Sequence, residues 1–158
     1  MEKVCLVLGA GAGIGGSVGR RVAADGYYSV LCRRSDKDGL DRMVTQIEAE
    51  GRRAKGHILD ATEPDVIENL IVQTEQEVGP IDTVVFNLGA QIGNRSITDT
   101  SYKAFERCWR IATFSLFRLA HTVAPIMAER GSGNILVTSA TAAVRGNAGQ
   151  HAHAAAVG

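Results

Sequence analysis

Two kinds of hydrophobic pattern alternate along the chain. Compact apolar runs occupy 3–8 (KVCLVL), 28–32 (YSVLC), a short stretch ending near Leu59, 82–86 (DTVVF) and the ILVT that follows a GSGN turn at 131–134. Continuous runs of this length, rich in β-branched residues and bounded by turn residues, read as strands buried on both faces. Between them apolar residues recur every three or four positions, the spacing of one helix face. Ile14, Val18 and Val22 form the first such set; Leu40, Met43, Val44 and Ile47 the second; Val66, Leu70, Ile71 and Val78 the third. Asp36 is placed to cap the second helix and Gly51 to end it. Thr62 and Pro64 suit the start of the third. A longer pattern covers 101–130, with Phe105, Trp109, Ala112, Leu116, Leu119 and Val123 facing one way; Pro125 is predicted to kink or interrupt it. Thr138 to Ala148 reads as a loop, and 149–158 as the start of a further helix.

Strand and helix in strict alternation predict an α/β fold: a Rossmann-type doubly wound parallel sheet with helices on both faces and right-handed crossovers. Such sheets bind ligands beyond the carboxyl ends of their strands. A length of 158 residues suits one domain, and 45% hydrophobic residues supply its core. Lys+Arg and Asp+Glu balance at 17 each, which argues against a nucleic-acid partner. No apolar run approaches transmembrane length, and the N-terminus reads as a strand, so no membrane partner is expected. Cys5, Cys32 and Cys108 are odd in number and scattered, as free thiols in a cytoplasmic protein would be. No two of them sit at metal-ligand spacing. His151 and His153, two apart on a helix, point to different sides, so no metal site is expected.

The first strand runs directly into six glycines in "GAGAGIGGSVG". Missing side chains there allow a tight turn and let a pyrophosphate reach the amides at a helix N-terminus. Two registers fit: Gly11, Gly13 and Gly16 as G-x-G-x-x-G, or Gly9, Gly13 and Gly15 as G-x-x-x-G-x-G. The strand end favours the second, with Ile14 between its last two glycines. A packing turn with no ligand is the alternative. The second strand ends in Cys32, Arg33, Arg34, where an acid would read a ribose 2′-hydroxyl. Arginine attracts a 2′-phosphate instead, so NADP is expected ahead of NAD.

With these residues in place the chain resembles the short-chain dehydrogenase/reductase (SDR) family. Gly9, Gly13 and Gly15 match its TGxxxGxG, with Leu8 in the threonine's place. Asp60 matches the acid that the family uses near the adenine, and "FNLG" matches NNAG, keeping Asn87 and Gly89. The resemblance implies one dinucleotide-binding domain over 1–158, hydride transfer between NAD(P) and a carbonyl or alcohol on a small-molecule substrate, and a homo-oligomer paired through the long helix. It also implies that the domain is incomplete, with C-terminal strands missing and strand five left as an exposed edge. The family's catalytic Asn, Ser, Tyr and Lys fall on Ala112, Ala140, His153 and Val157. His153 is therefore the candidate proton donor, with Ser139 or Thr141 supplying a hydroxyl. A nucleotide-binding module without catalysis, and a fragment with no function of its own, are the competing expectations.

Overall fold

The computed structural model describes residues 2–89 and 92–158. Five strands, β1 (Val4–Leu8), β2 (Tyr28–Arg33), β3 (Ala54–Ile58), β4 (Ile81–Phe86) and β5 (Asn134–Val137), pair in parallel in the order β3-β2-β1-β4-β5. β1 is central and wholly buried, as its unbroken apolar run requires. Its alternate side chains feed two cores. Val4, Leu6 and Leu8 pack with Ile67, Ile71, Leu119 and Val123 of α3 (Val66–Glu77) and α5 (Ser115–Arg130). Cys5 and Val7 pack with Ala23, Leu40, Met43 and Ile47 of α1 (Ile14–Ala24) and α2 (Lys37–Ala49). The doubly wound arrangement follows directly. α4 (Tyr102–Trp109) and α6 (His151–Val157) complete the helices, joined by a satellite core of Cys108, Ala112, Ala152 and Ala156.

Several local expectations hold. Asp36 Oδ1 accepts from the Gly39 amide at 3.0 Å and caps α2. Gly51, at φ +73°, ends that helix in the left-handed region. β5 is the outer strand of the five beside β4, with Leu136 and Val137 about half exposed. The three cysteines are free and buried. Burial pushes the Cys5 thiol up to about 12, with the nearby Asp82 charge adding to it, so it is inert at neutral pH.

Others need correction. In α1 the buried residues are Gly15, Gly16, Gly19 and Ala23, while Ile14 is 62% exposed. The helix lies so close to the sheet that glycines face it directly, while Val18 and Val22, half-buried, pack against the same core as expected and only Ile14 turns outward. α3 begins after Asp65, because Thr62 turns back to bond Asp60. The long helix runs unbroken through Pro125, which sits on the solvent side where water can serve the carbonyl left without its partner. Its irregularity is instead a π-turn at Arg110–Phe114. The extra residue rotates the buried stripe to Cys108, Ala112, Ser115, Leu119, Val123 and Met127, leaving Phe105 and Trp109 about 40% exposed. Tyr102–Arg130 also contains a window long and apolar enough to cross a membrane. Here Leu119 and Val123 of that helix are fully buried in the domain core.

The amino ends of the strands close on one buried acid. Asp82 accepts from Lys3 Nζ at 2.8 Å and from Tyr27 Oη at 3.0 Å. The Lys3 bond, then those from Tyr27 and Thr83, hold its carboxyl below the usual carboxylate range against the opposing effect of burial. A depressed folded-state pKa contributes stability that is complete above the unfolded value, about 3.9, and is lost as pH falls through the folded value. Asp82→Asn is expected to lower Tm at pH 6 by about 2–4 °C, an effect near 1 kcal/mol. Differential scanning fluorimetry should show that gap closing below pH 4; a gap equally wide at pH 3 contradicts the assignment.

Candidate functional site

The strand order reverses beside β1, and its carboxyl end carries the glycine turn. Gly9 has φ +87°, and a Cβ there would lie 2.4 Å from the Asn87 carbonyl oxygen. A Cβ on Gly15 would lie 2.0 Å from the Gly9 carbonyl oxygen, and one on Gly16 2.4 Å from that of Gly11. Gly11 and Gly13 have open space instead. The turn is therefore fixed by the glycines at its two ends and is open at its crest, with Ile14 exposed beside it. The amides of Gly9 and Ala10 both donate to the Cys32 carbonyl, at 2.9 and 2.8 Å. Asn87 donates from its main chain to Leu8 and from Nδ2 to the Gly9 carbonyl at 3.1 Å. Its amide side chain holds the turn in place.

Beyond β1, β2 and β3 opens a cavity of about 490 Å³, bounded by Gly9, Arg34, Asp60, Gly89, Arg107 and Ile111. Arg33 also reaches it but bridges to Asp36 at 3.2 Å. Among the described residues Arg34 and Arg107 have no carboxylate within ion-pair distance. Asp60 Oδ1 accepts from the Thr62 hydroxyl at 2.6 Å and the Thr62 amide at 2.9 Å. That hydroxyl, with smaller contributions from the amide, Arg34 and Arg107, keeps the Asp60 carboxyl below the usual range. Among the described residues its Oδ2 accepts nothing. The wall thus offers two guanidinium groups outside ion-pair distance of any carboxylate among the described residues and one carboxylate oxygen open to a donor. Arg107 and Ile111 carry no sequence signal that would have placed them here, since only the packing of α4 and the π-turn against the strand ends brings them in.

Leu88 and Gly89 also line a neighbouring hollow of about 230 Å³, with Thr138, Ser139, Ala140 and His153. A second hollow of similar size shares His153 and is flanked by Asn94 and Gln150. His153 is buried between them on α6. Ser139 shares its hollow, but its hydroxyl donates to the Val157 carbonyl at 2.9 Å. Thr141 opens a 3₁₀ turn and lines neither hollow. Thr138, which the sequence reading missed, does. His151 faces elsewhere, its Nε2 2.9 Å from Thr100 Oγ1 and its ring stacked on Phe105. Among the described residues no three His, Cys, Asp or Glu side chains gather as metal ligands do.

The fold that carries this geometry recurs in proteins of known family. A family profile described as "short chain dehydrogenase" matches residues 3–156. The 2,3-dihydro-2,3-dihydroxybenzoate dehydrogenase of Bacillus subtilis is 28% identical over 141 residues, covering 89% of this chain and 53% of its own. The 3-oxoacyl-acyl-carrier-protein reductase of Thermotoga maritima is 27% identical, covering 97% of this chain and 61% of its own. A 7α-hydroxysteroid dehydrogenase solved with NADH and 7-oxo-glycochenodeoxycholic acid superposes with a TM-score of 0.90 at 28% identity, covering 98% of this chain and 59% of that one. An actinorhodin polyketide ketoreductase solved with NADPH gives 0.89 at 27%, with coverage of 98% and 59%. The chain thus spans between half and three-fifths of the length of these relatives. With a matching profile along nearly all of its residues and solved structures that superpose on 98% of it, the chain belongs to the short-chain dehydrogenase family.

Proposed function

We propose that the chain binds a nicotinamide dinucleotide, NADP ahead of NAD, and serves an oxidoreductase acting between a carbonyl and an alcohol on a small-molecule substrate. The observation that carries this is the glycine turn, closed at its base by Gly9 and Gly15 and open at its crest, beside a cavity whose wall bears Arg34 and Arg107, neither held in an ion pair among the described residues. Bare amides at the start of α1 suit a diphosphate, and the open Asp60 Oδ2 suits the amino group of a purine. Arg34, exposed and unpaired by a carboxylate, is the better placed partner for a 2′-phosphate, with the Asp36-bridged Arg33 beside it. Solved relatives hold NADPH in one case and NADH in the other, so the arginines of this chain carry the preference.

A bound nicotinamide would supply or accept a hydride at the substrate carbon. His153, buried between the two hollows, would give or take the proton at the substrate oxygen, and Thr138 or Ser139 would orient that oxygen. Thr141, outside both hollows, would need the 3₁₀ turn to move. The second reading is a nucleotide-binding module without catalysis. It is favoured by Ala112, Ala140 and Val157 at the family's catalytic positions and by the Ser139 hydroxyl being bonded to the Val157 carbonyl. We further infer a cytoplasmic home, in keeping with three buried thiols, and a homo-oligomer through the long helix, whose Phe117 is 62% exposed.

Isothermal titration tests the nucleotide reading. NADP is expected to bind at least tenfold more tightly than NAD, and Arg34→Ala should cut NADP affinity about tenfold while NAD affinity stays within twofold. Equal weakening toward both nucleotides would remove the 2′-phosphate assignment. Absence of any binding would remove the dinucleotide reading itself.

A further inference from the structure

The wall of the cavity that carries Asp60 is held from outside, by one face of α5. Arg118 Nη1 donates to the Ala61 carbonyl at 2.9 Å and Nη2 to the Glu63 carbonyl at 3.0 Å. The same guanidinium makes a two-point ion pair with Glu68, at 2.9 Å from Nε and 2.6 Å from Nη2. Ser115 Oγ lies 3.2 Å from the Ala61 carbonyl and shares its single proton between that carbonyl and the nearer one of Arg110. The π-turn seats that hydroxyl, which also lies 2.8 Å from the Arg110 carbonyl. Asp60 sits between β3 and the two clamped carbonyls, and the Glu63 amide returns to its own carbonyl at 3.1 Å. The Arg118 side chain is only 12% exposed, so water does not substitute easily for its bonds.

We propose that Arg118, assisted by Ser115, is a positioning residue for nucleotide recognition. By gripping Ala61 and Glu63 it fixes the turn in which Thr62 occupies Asp60 Oδ1 and Oδ2 is left to accept from the ligand. Arg118 touches no ligand; it acts through the carboxylate it orients. A fork of this kind needs arginine, since an ammonium group can keep the ion pair with Glu68 but cannot span both carbonyls as well. The proposal rests on the assignment of this cavity to a purine nucleotide and names the residue that sets its selectivity for the 6-amino group.

The test is the affinity of the whole chain for 5′-AMP relative to 5′-IMP, which differ at that group, measured by titration. Wild type is expected to favour AMP about tenfold or more, the effect of one hydrogen bond to a charged acceptor. Arg118→Lys is expected to fold and to bring the ratio below threefold. Ser115→Ala, which removes one donor and leaves the ion pair, should lower the ratio in the same direction by a smaller factor. A purely structural role would lower Tm and weaken both nucleotides together; a wild-type AMP/IMP ratio in both variants overturns the proposal. Wild type that binds NADP yet shows no AMP preference also overturns it, while leaving the dinucleotide reading standing. Wild type that binds neither NADP nor AMP removes both.

Discussion

Gly15→Ala is expected to abolish useful nucleotide binding, lowering NADP affinity about 100-fold, near 2.7 kcal/mol. The added Cβ would fall 2.0 Å from the Gly9 carbonyl oxygen and 3.0 Å from Ala10 Cα, both main-chain atoms, so the turn itself must open. Gly9 is also the residue whose carbonyl receives Asn87 Nδ2, so the disturbance passes to the end of β4. The informative control is Gly19→Ala, one turn further along the same buried stripe. Its Cβ would meet Leu31 Cδ2 at 2.4 Å, the far end of a side chain in the core. Overpacking of that kind costs about 1–3 kcal/mol and should lower Tm by several degrees. If the glycines serve only to seat α1 on the sheet, the two variants behave alike and neither changes affinity beyond its effect on folding. If they shape a diphosphate cradle, only Gly15→Ala loses the nucleotide. Fluorimetry for Tm and titration with NADP separate the two outcomes.

The parts of this molecule that were legible in the sequence are those fixed by neighbours in the chain. β1 announces itself because five consecutive buried residues need five consecutive apolar ones, and Gly9 follows because the next turn allows no side chain. The Asp36 cap and the Gly51 stop are likewise contained within a few residues. The misreadings share one cause, a dependence on partners distant in sequence. The face of the long helix was displaced because the π-turn at Arg110–Phe114 adds a residue that no straight-helix spacing anticipates. On α1 Val18 and Val22 do pack on the core, but Ile14 does not, because the closeness of the helix to β2 and Met43 sets a glycine stripe nearest the sheet. Thr62 looked like a helix start because its second role, bonding Asp60, depends on how the end of β3 meets α3. Arg118 carried no signal at all: a lone arginine on an amphipathic helix reads as surface until Glu68 and two carbonyls are brought to it. On the catalytic side the chain order placed Ser139, Ala140 and His153 in one hollow, as their positions after β5 suggested, but the bond from Ser139 to Val157 needs α6 folded back over that loop.

His153→Asn is expected to reduce NADPH-dependent carbonyl reduction by about 10²–10⁴-fold, the range for loss of a positioned general acid, while NADP affinity stays within about threefold. Asparagine keeps a polar group of similar reach in the buried site but cannot exchange a proton at neutral pH. The effect is expected in kcat, because the residue lines the smaller hollow and not the large cavity beside it. Imidazole carries a donor nitrogen and an acceptor nitrogen on one ring, so histidine at this position can hand over a proton without the lysine that the family places four residues later, where this chain has Val157. A second variant, His153→Tyr with Val157→Lys, puts the family's pair on one face of α6. If the hollow is a working reduction site, this variant should turn over where His153→Asn does not. Wild type that binds NADP and reduces nothing across a broad carbonyl panel, together with a double variant that gains activity, identifies a binding module that has given up its acid. Wild type and His153→Asn turning over at equal rates excludes His153 from the chemistry.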